Sequence, residues 1–398
     1  MASSLRQRSL GPAVAQLAHD TFVLISGPRQ VGKTTLALAW LGAFSNGRYL
    51  NWDVAVDRAA LLKRDFPAPV PGALVLDELH KYPRWKSWLK GLFDNVATRV
   101  PTVVTGSARL DIYQRGGDSL LGRIAHLRLH PLTIGELERV GAPTPEPPAD
   151  WLTLGAAASA FSMWERLERR SGFPQPFERD DSQQHRRWST SRRSLLIRED
   201  LRDLTNIRQL ALVEHLALLL PERVGSPLSV NALREDLQVS HDTVSSWLEA
   251  LERLYYAYRI APWTKRVARA LTKERKLYLW DWSQVEDPGA RFENMVAGHL
   301  LKAVHTWTDL GFGDFDLRYL RDREKHEVDF VVTEGRRPLV LVECKLRDEA
   351  PHLPLLRFQS ALGGIPAIQL VRTPGVDRRV PGAAVRVVSA GTWLSALP

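Results

Sequence analysis

The sequence contains very little cysteine and no long apolar run. Cys344 is the single cysteine among the 398 residues, so no disulfide can form within the chain, which is typical of proteins in a reducing compartment. The most apolar segment, Leu210–Leu220, is interrupted by Glu214 and His215 and falls short of the roughly 18 apolar residues of a membrane helix. Residues 1–18 lack the apolar centre of a secretory signal. These absences predict a cytoplasmic protein without a membrane segment.

Positive charge, by contrast, is in excess. The chain has 54 lysine and arginine residues against 45 aspartate and glutamate residues, a formal net charge of +9. A basic balance favours polyanionic partners such as nucleotides and nucleic acid, and DNA is the macromolecular partner that we expect. The alternative is that the cations only keep the surface solvated. At roughly 100–200 residues per domain, the length predicts two or three domains.

Short apolar runs alternate with helical patterns in the first third of the chain. The runs Phe22–Ser26, Ala73–Leu76 and Thr102–Thr105, with helices between them, predict a parallel α/β sheet. A proline-rich connector follows at 141–150, and helical patterns then continue to about Pro262. β-Rich runs return at Lys276–Trp280, Leu317–Arg321, Glu327–Val332, Leu339–Glu343 and Ala367–Val371. We therefore predict an α/β protein with domains at 1–150, 151–265 and 266–398.

Residues 27–34 fit the phosphate-binding pattern G-x-x-x-x-G-K-[ST] at every fixed position. The strand Phe22–Ser26 precedes them and a helical pattern follows, so that backbone N–H groups and the positive end of a helix would face phosphate. Lys33 would neutralise the β and γ phosphates, and the Thr34 hydroxyl would bind Mg²⁺. The segment predicts ATP binding by Gly27, Pro28, Arg29, Gln30, Val31, Gly32, Lys33 and Thr34.

Two carboxylates end the apolar run Ala73–Leu76. Asp77 would hold Mg²⁺, and Glu78 would polarise the attacking water as the general base. The alternative is a pair of solvated acids at the end of a strand. Because the phosphate-binding pattern lies upstream in the same α/β region, the catalytic interpretation is favoured and predicts a nucleotide hydrolase.

The following strand also ends in polar residues. Ser107 is the candidate sensor of the γ-phosphate, with Thr105 as the second choice. Arg123, further along, is a candidate for stabilising the transferred charge, either in its own chain or across an interface of a homo-oligomer. The alternative for Arg123 is an ordinary surface arginine.

Two helical patterns separated by a short turn lie between residues 229 and 254. The first is Asn231–Leu237 and the second is His241–Leu254. The second places on one apolar face Val244, Trp247, Leu248, Leu251 and Leu254. This arrangement is typical of a helix-turn-helix. In a DNA-binding module the exposed residues of the second helix would be His241, Thr243, Ser245 and Ser246, and the alternative is a helical packing module.

Acidic residues also interrupt two apolar strands near the C-terminus. Asp329 lies within a run that is otherwise apolar, and Glu343 and Lys345 end the next run. Adjacent antiparallel strands would bring Asp329 beside Glu343, and Lys345 would share their face because residues two apart do so. Glu293, in a preceding helix, is a candidate third metal ligand. The set suits metal-dependent phosphodiester hydrolysis, and the alternative is a structural ion pair.

In this order the motifs resemble a family of bacterial and archaeal AAA-type ATPases. The resemblance rests on Gly27–Thr35, Asp77-Glu78, Thr105-Gly106-Ser107, Leu120–Arg123, Gly172-Phe173-Pro174, Glu293-Asn294 and Glu343-Cys344-Lys345. In that family a P-loop ATPase domain precedes a winged-helix-like segment and a C-terminal domain of the PD-(D/E)XK, restriction-endonuclease-like fold. The resemblance implies a doubly wound P-loop sheet, adds Thr35 to the nucleotide-binding residues, and implies nuclease competence for the C-terminal acids.

Two functions are consistent with these patterns. The first is a magnesium-dependent ATPase coupled to DNA binding, with metal-dependent phosphodiester cleavage by the C-terminal domain as an added activity. The second is a regulatory NTPase whose nuclease-like domain is a non-catalytic binding scaffold. Both predict ATP and Mg²⁺ as cofactors, and they differ in the chemistry of the C-terminal acids.

Overall fold

A computed structural model gives the structure of the chain, and it divides the chain into two units. It describes residues 7–63, 72–95, 100–106, 120, 122–138, 146–155, 161–204, 207, 209–264 and 274–398. The N-terminal unit is Met1–His130 and the C-terminal unit is Pro131–Pro398. The three predicted domains, with boundaries after residues 150 and 265, stay a prediction.

Five parallel strands form the sheet of the N-terminal unit. They are β1 (Phe22–Ser26), β2 (Gly47–Asn51), β3 (Ala73–Asp77), β4 (Thr102–Thr105) and β5 (Ile124–Arg128). Their order across the sheet is β2-β3-β4-β1-β5, and every neighbouring pair is parallel. The three central strands are buried at every position, as continuous apolar runs in parallel sheets usually are. The predicted parallel α/β sheet is therefore confirmed.

Helices connect these strands and cover the sheet. They are α1 (Gly11–Leu17), α2 (Lys33–Leu41), α3 (Ala55–Lys63) and α4 (Trp85–Asp94), with a 3₁₀ turn at Leu79–Lys81. Helix α4 turns Trp85, Trp88, Leu89 and Leu92 into the core, where they pack with strand residues such as Leu74 and Leu76.

The carboxyl ends of the parallel strands lie at one edge of the sheet. In register, Asp77 lies opposite Asn51 on one side and Thr105 on the other, and Thr105 lies opposite Ile25 of β1. Ligands of open α/β sheets bind at this edge. Gly27, which follows β1 there, has a φ of 138°, and a Cβ at this position would lie 2.2 Å from the Leu129 carbonyl oxygen. Glycine is therefore required where the phosphate-binding segment begins.

The C-terminal unit begins with helices. They are α5 (Ile134–Glu138), α6 (Phe161–Arg170), α7 (Pro174–Arg179), α8 (Ser182–Leu195), α9 (Leu201–Leu204) and α10 (Leu210–Leu219), with a π-helical turn at Leu196–Asp200. Gly172 lies where chain segments pass closely, because a Cβ there would lie 2.6 Å from both the Leu132 carbonyl oxygen and the Trp282 ring. The Gly172 carbonyl accepts a hydrogen bond from the Leu132 N–H at 2.7 Å. Gly172 of the Gly-Phe-Pro motif thus allows these chain segments to pass closely and is hydrogen-bonded to one of them.

A helix-turn-helix with a following hairpin comes next. Its parts are α11 (Val230–Leu237), α12 (His241–Arg253), β6 (Ala257–Ile260) and β7 (Lys276–Leu279). Ser229 and Ser240 cap the two helices by accepting hydrogen bonds from the N–H groups of Ala232 and Thr243. The predicted apolar face of the second helix is buried. The antiparallel hairpin of β6 and β7 follows the two helices. The winged-helix-like identity of this part stays a prediction.

A mixed six-stranded sheet completes the C-terminal unit. Its elements are α13 (Pro288–Asp309), β8 (Phe315–Arg321), β9 (Glu327–Glu334), β10 (Arg337–Lys345), α14 (Leu353–Ala361), β11 (Ala367–Val371), β12 (Asp377–Arg379), β13 (Val385–Ser389) and α15 (Ala390–Leu394). The order is β12-β13-β11-β10-β9-β8, in which β10, β11 and β13 run parallel and the other pairs are antiparallel. Among the described helices none has the length and apolar character to cross a membrane.

A buried ion pair holds α5 against α13. The Lys302 Nζ lies 2.8 Å from a Glu136 carboxylate oxygen and donates to the Thr133 hydroxyl at 3.0 Å. Beside it, the Ile134 N–H donates to Nε2 of His299 at 3.1 Å, and burial lowers the pKa of His299 to about 4. The buried ion pair of Lys302 and Glu136 thus holds the first residues of the C-terminal unit in place.

Replacing Lys302 by Met is expected to destabilise the C-terminal unit by about 3–5 kcal/mol, because the Glu136 charge is left buried without its partner. Denaturant unfolding followed by circular dichroism measures the change. Arg337→Met is the control, since its pair with Glu334 is exposed and is worth at most about 1 kcal/mol. Equal stability of the two variants would contradict this account of the ion pair.

Candidate functional site

The phosphate-binding segment has the strand, loop and helix that the sequence predicts. It leaves β1 at Gly27, and α2 begins at Lys33. Gln30 and Gly32 have positive φ angles of 65° and 100°, which curl the backbone ahead of the helix. The Lys33 Nζ donates to the carbonyl oxygens of Gly27 and Pro28 at 3.0 and 2.8 Å, so the ammonium lies over the loop. The Lys33 ammonium thus lies over the loop, and the N-terminus of α2 follows the loop directly.

Arg8 holds the same loop from the N-terminal side, which the sequence did not reveal. Its guanidinium donates to the Val31 carbonyl at 2.9 Å and also to the His130 carbonyl. The guanidinium is buried with this loop, so it fixes the backbone of residue 31 without contributing an exposed charge.

The Asp77 carboxylate is the centre of the site. One oxygen accepts hydrogen bonds from the Thr34 hydroxyl at 2.9 Å and the Tyr49 hydroxyl at 2.8 Å. The other oxygen accepts a short hydrogen bond from the Thr105 hydroxyl. Asp77 thereby joins the phosphate-binding segment to the middle of β2 and the end of β4. The predicted pair of magnesium-binding residues, Thr34 and Asp77, is in direct contact.

Glu78 lies beside this centre on a strained backbone. Its φ and ψ angles are 57° and 20°, in the left-handed region that non-glycine residues rarely adopt. Burial raises the pKa of its carboxyl group, and the Lys81 ammonium, 3.4 Å away, opposes that rise. A carboxylate with a raised pKa at the carboxyl edge of the sheet is suited to accept a proton from water.

Tyr49 is a site residue that the sequence analysis missed. Burial and the hydrogen bond to Asp77 raise the pKa of its hydroxyl to about 12. The neutral hydroxyl is therefore a stable donor to Asp77 at physiological pH. The only sequence signal was a polar-ended strand, Gly47–Asn51, that is not apolar enough to be recognised.

The two remaining predicted residues of this unit have different outcomes. Ser107 lies outside the described residues, while Thr105, the second choice, contacts Asp77 directly. Arg123 precedes β5 and forms an ion pair with Asp94 at 2.8 Å. At about 3.3 Å per residue, Arg123 lies about 16 Å from Arg128 at the carboxyl end of β5. Gly27 lies at that carboxyl edge, so Arg123 is at the other edge of the sheet. This placement does not support action within its own chain, and action across a subunit interface stays a prediction.

The residues around Asp77 fit a magnesium nucleotide. A hydroxyl and a carboxylate are oxygen ligands of the kind that Mg²⁺ takes. The Lys33 ammonium donates to the carbonyl oxygens of Gly27 and Pro28, which phosphate oxygens can replace. The oxygen ligands and the geometry of the loop are therefore both consistent with a nucleotide bound together with Mg²⁺.

The C-terminal acids are brought together as the strand pattern predicts. Register places Glu343 opposite Asp329, whose N–H points to a Glu343 oxygen at 3.4 Å. The Lys345 Nζ lies 3.0 Å from the other Glu343 oxygen. The Cys344 N–H donates to an Asp329 oxygen at 2.9 Å. The catalytic and metal-binding roles of these residues stay predictions.

Lys276 is the unforeseen member of this cluster. Its ammonium is buried and lies 3.1 Å from Glu293, 2.6 Å from Glu327 and 3.4 Å from Asp329. Burial opposes the charged form, but the three carboxylates outweigh it and raise the pKa of Lys276. Glu293, the predicted third metal ligand, therefore contacts a lysine of the hairpin.

The two central acids differ in their tendency to ionise. Burial, and then the carboxylates of Glu293 and Glu343, raise the pKa of Asp329 well above its ordinary value. Burial opposes ionisation of Glu343 too, but His352 and Lys345 hold its pKa below the ordinary value. The cluster is thus held by cations that the protein itself supplies.

A second acidic group lies at the start of β9. Within the described residues, the one set of three acidic or histidine side chains whose ligand atoms all lie within 4.8 Å is Asp322, Glu324 and His326. The Arg357 guanidinium already lies 3.2 Å from Glu324. This group is partly exposed and internally paired.

The second helix of the helix-turn-helix has a mixed surface. His241 and Ser246 are exposed as predicted, whereas Thr243 and Ser245 are half-buried. The Thr243 hydroxyl lies 2.7 Å from that of Ser240 in the helix cap. Asp242 is also exposed, so a carboxylate lies where DNA phosphates would approach.

Three family models match separate parts of the chain. An AAA domain model matches residues 19–138, and two domains of unknown function, DUF8612 and DUF4143, match residues 163–285 and 288–378. The predicted AAA-type ATPase domain is therefore confirmed in the N-terminal part. The restriction-endonuclease-like identity of the C-terminal sheet stays a prediction.

Two curated relatives match over 260 residues at 24% identity, and both are uncharacterized proteins, from Mycobacterium bovis and Mycobacterium tuberculosis. The match covers 65% of this chain and 54% of each relative, so the chain spans about half of their length.

Solved structures with similarity to this chain include three ATPases or DNA-associated proteins. A Walker-type ATPase of Pyrococcus abyssi has 14% identity and a TM-score of 0.40, covering 69% of this chain and 93% of that chain. The Aeropyrum pernix ORC1 protein, solved in complex with DNA, has 16% identity and a TM-score of 0.32, covering 72% and 92%. The Thermotoga maritima RuvB Holliday junction branch migration motor has 19% identity and a TM-score of 0.30, covering 63% and 87%.

Replacing Tyr49 by Phe is expected to raise the Mg²⁺ concentration that gives half-maximal ATP turnover by about 10-fold, because partners of metal ligands orient them. Steady-state turnover against Mg²⁺ concentration measures it. Tyr82→Phe is the matched control, since its ring stacks on Trp52 and keeps that contact. An unchanged Mg²⁺ requirement in Tyr49→Phe would show that this hydroxyl does not position Asp77.

Proposed function

We propose that the chain is a magnesium-dependent ATPase whose reaction centre is built around Asp77. The observation that carries the proposal is the direct contact of the Thr34 hydroxyl with the Asp77 carboxylate at 2.9 Å. It joins the end of the phosphate-binding loop, which follows β1, to the acidic end of β3, which is separated from β1 by β4. The AAA domain match over the same residues supports the assignment.

Each residue has a separate role in this proposal. Thr34 and Asp77 would hold Mg²⁺, which neutralises charge on the phosphate oxygens when bound. Lys33 would exchange its carbonyl acceptors for phosphate oxygens, and the free backbone N–H groups of the loop and of the first turn of α2 would face them. The loop residues Arg29 and Thr35 stay predicted contacts.

Glu78 is the proposed general base. Its backbone strain fixes the carboxylate at the carboxyl edge of the sheet, and burial raises its pKa toward the working range of a base. The Lys81 ammonium opposes that rise in pKa, and Lys81 is itself held by Asp53 at 2.6 Å. Ser107 stays the predicted sensor of the γ-phosphate, and the contact of Thr105 with Asp77 supports Thr105 as the second choice.

DNA binding and phosphodiester cleavage stay predictions from the sequence. The helix-turn-helix with its hairpin supports a nucleic-acid-binding role, and the exposed Asp242 opposes it. ATP turnover measured with and without DNA at several salt concentrations tests the coupling, because phosphate contacts weaken steeply with salt. A homo-oligomer that uses Arg123 of one subunit at the site of the next also stays a prediction.

Replacing Glu78 by Gln is expected to leave ATP binding intact and to reduce turnover by about 10²–10⁴-fold, the usual contribution of a positioned base. Calorimetry and single-turnover kinetics separate the two effects. Asp53→Asn is the matched control, since it removes a neighbouring carboxylate that shares Lys81. Turnover close to wild type in Glu78→Gln would refute the assignment of the base.

A further inference from the structure

Each carboxylate oxygen of Asp329 and Glu343 already has a polar partner within the protein. One Asp329 oxygen faces the Lys276 ammonium and the other accepts the Cys344 N–H. One Glu343 oxygen lies 3.0 Å from Lys345 and 2.7 Å from Nδ1 of His352, and the other lies 3.4 Å from the Asp329 N–H. A divalent ion bound there would have to displace these partners.

The balance of charges in the cluster also argues against a bound metal ion. The cluster contains four carboxylates, of Glu293, Glu327, Asp329 and Glu343. Lys276 and Lys345 lie among them, and Arg321 lies 3.6 Å from Glu327. Buried carboxylates need a cation to remain in the protein interior. Lysine and arginine therefore meet most of the requirement that a metal ion would otherwise meet.

The geometry of Lys276 resembles that of a bound ion more than that of a surface salt bridge. Its side chain is 1% exposed, and three carboxylates from β9 and α13 surround its ammonium. Tyr278, two residues on, donates to the same Glu293 oxygen at 2.7 Å. Residues two apart on a strand share a face, so one face of β7 is dedicated to the cluster.

We propose that the Lys276 ammonium takes the place of a metal ion in this cluster and locks hairpin strand β7 to β9 and α13. The residues that the sequence suggests as metal ligands do not fit a divalent ion while Lys276 lies among them. The carboxylates then bind the Lys276 ammonium as an internal cation. This ammonium joins the winged-helix-like part to the mixed sheet. This inference does not depend on the proposed ATPase activity.

Binding of Mn²⁺ to the full, nucleotide-free chain tests the proposal, with free Mn²⁺ followed by electron paramagnetic resonance. The wild type and Asp329→Asn are expected to bind Mn²⁺ equally. Lys276→Met is expected to bind one Mn²⁺ more than the wild type does, and the additional site is lost in Lys276→Met/Asp329→Asn. The exposed Lys90→Met, on α4, is the matched control and gains nothing.

Thermal unfolding gives an independent readout, because an ion that binds the folded state raises the Tm. Mn²⁺ is expected to raise the Tm of Lys276→Met more than that of Lys90→Met. A wild-type site for Mn²⁺ that disappears in Asp329→Asn overturns the proposal. So does a folded Lys276→Met that binds no additional ion, and if that variant does not fold, the comparison of wild type with Asp329→Asn still decides.

Discussion

The Asp77 carboxylate accepts hydrogen bonds from three hydroxyl groups that arrive on three different segments, those of Thr34, Tyr49 and Thr105. Because Asp77 ends a buried central strand, its position is set by the sheet and not by a loop. The phosphate-binding loop, fixed by Arg8 and closed by Lys33, is oriented by that same contact. The arrangement of this edge of the sheet therefore depends on one buried carboxylate.

Buried carboxylates have different kinds of partner in the two units. At Asp77 the partners are neutral hydroxyls, which leaves the negative charge available to a cation from outside. At the C-terminal sheet, Lys276 and Lys345 lie against the carboxylates and Asp329 has a raised pKa. The first arrangement suits a site that binds and releases a metal nucleotide, and the second suits a permanent internal pairing.

Local pattern was enough to predict the central strands and the Thr34–Asp77 pair, because an apolar run and a phosphate-binding motif are each contiguous in sequence. Strands β2 and β5 were missed because they lie at the sheet edges and are largely half-exposed, so they do not form apolar runs. Lys276 was missed for another reason. It follows Glu274 and Arg275 and looks like surface charge, and its partners are 17 to 53 residues away.

The direct test of the central claim is calorimetric binding of ATP to the wild type and to Asp77→Asn, each measured with Mg²⁺ and with a chelator. The account predicts that Mg²⁺ strengthens ATP binding by the wild type, and that Asp77→Asn loses this gain while its metal-free affinity is unchanged. Retention of the full Mg²⁺ effect in folded Asp77→Asn, or absence of ATP binding by the wild type, would contradict it.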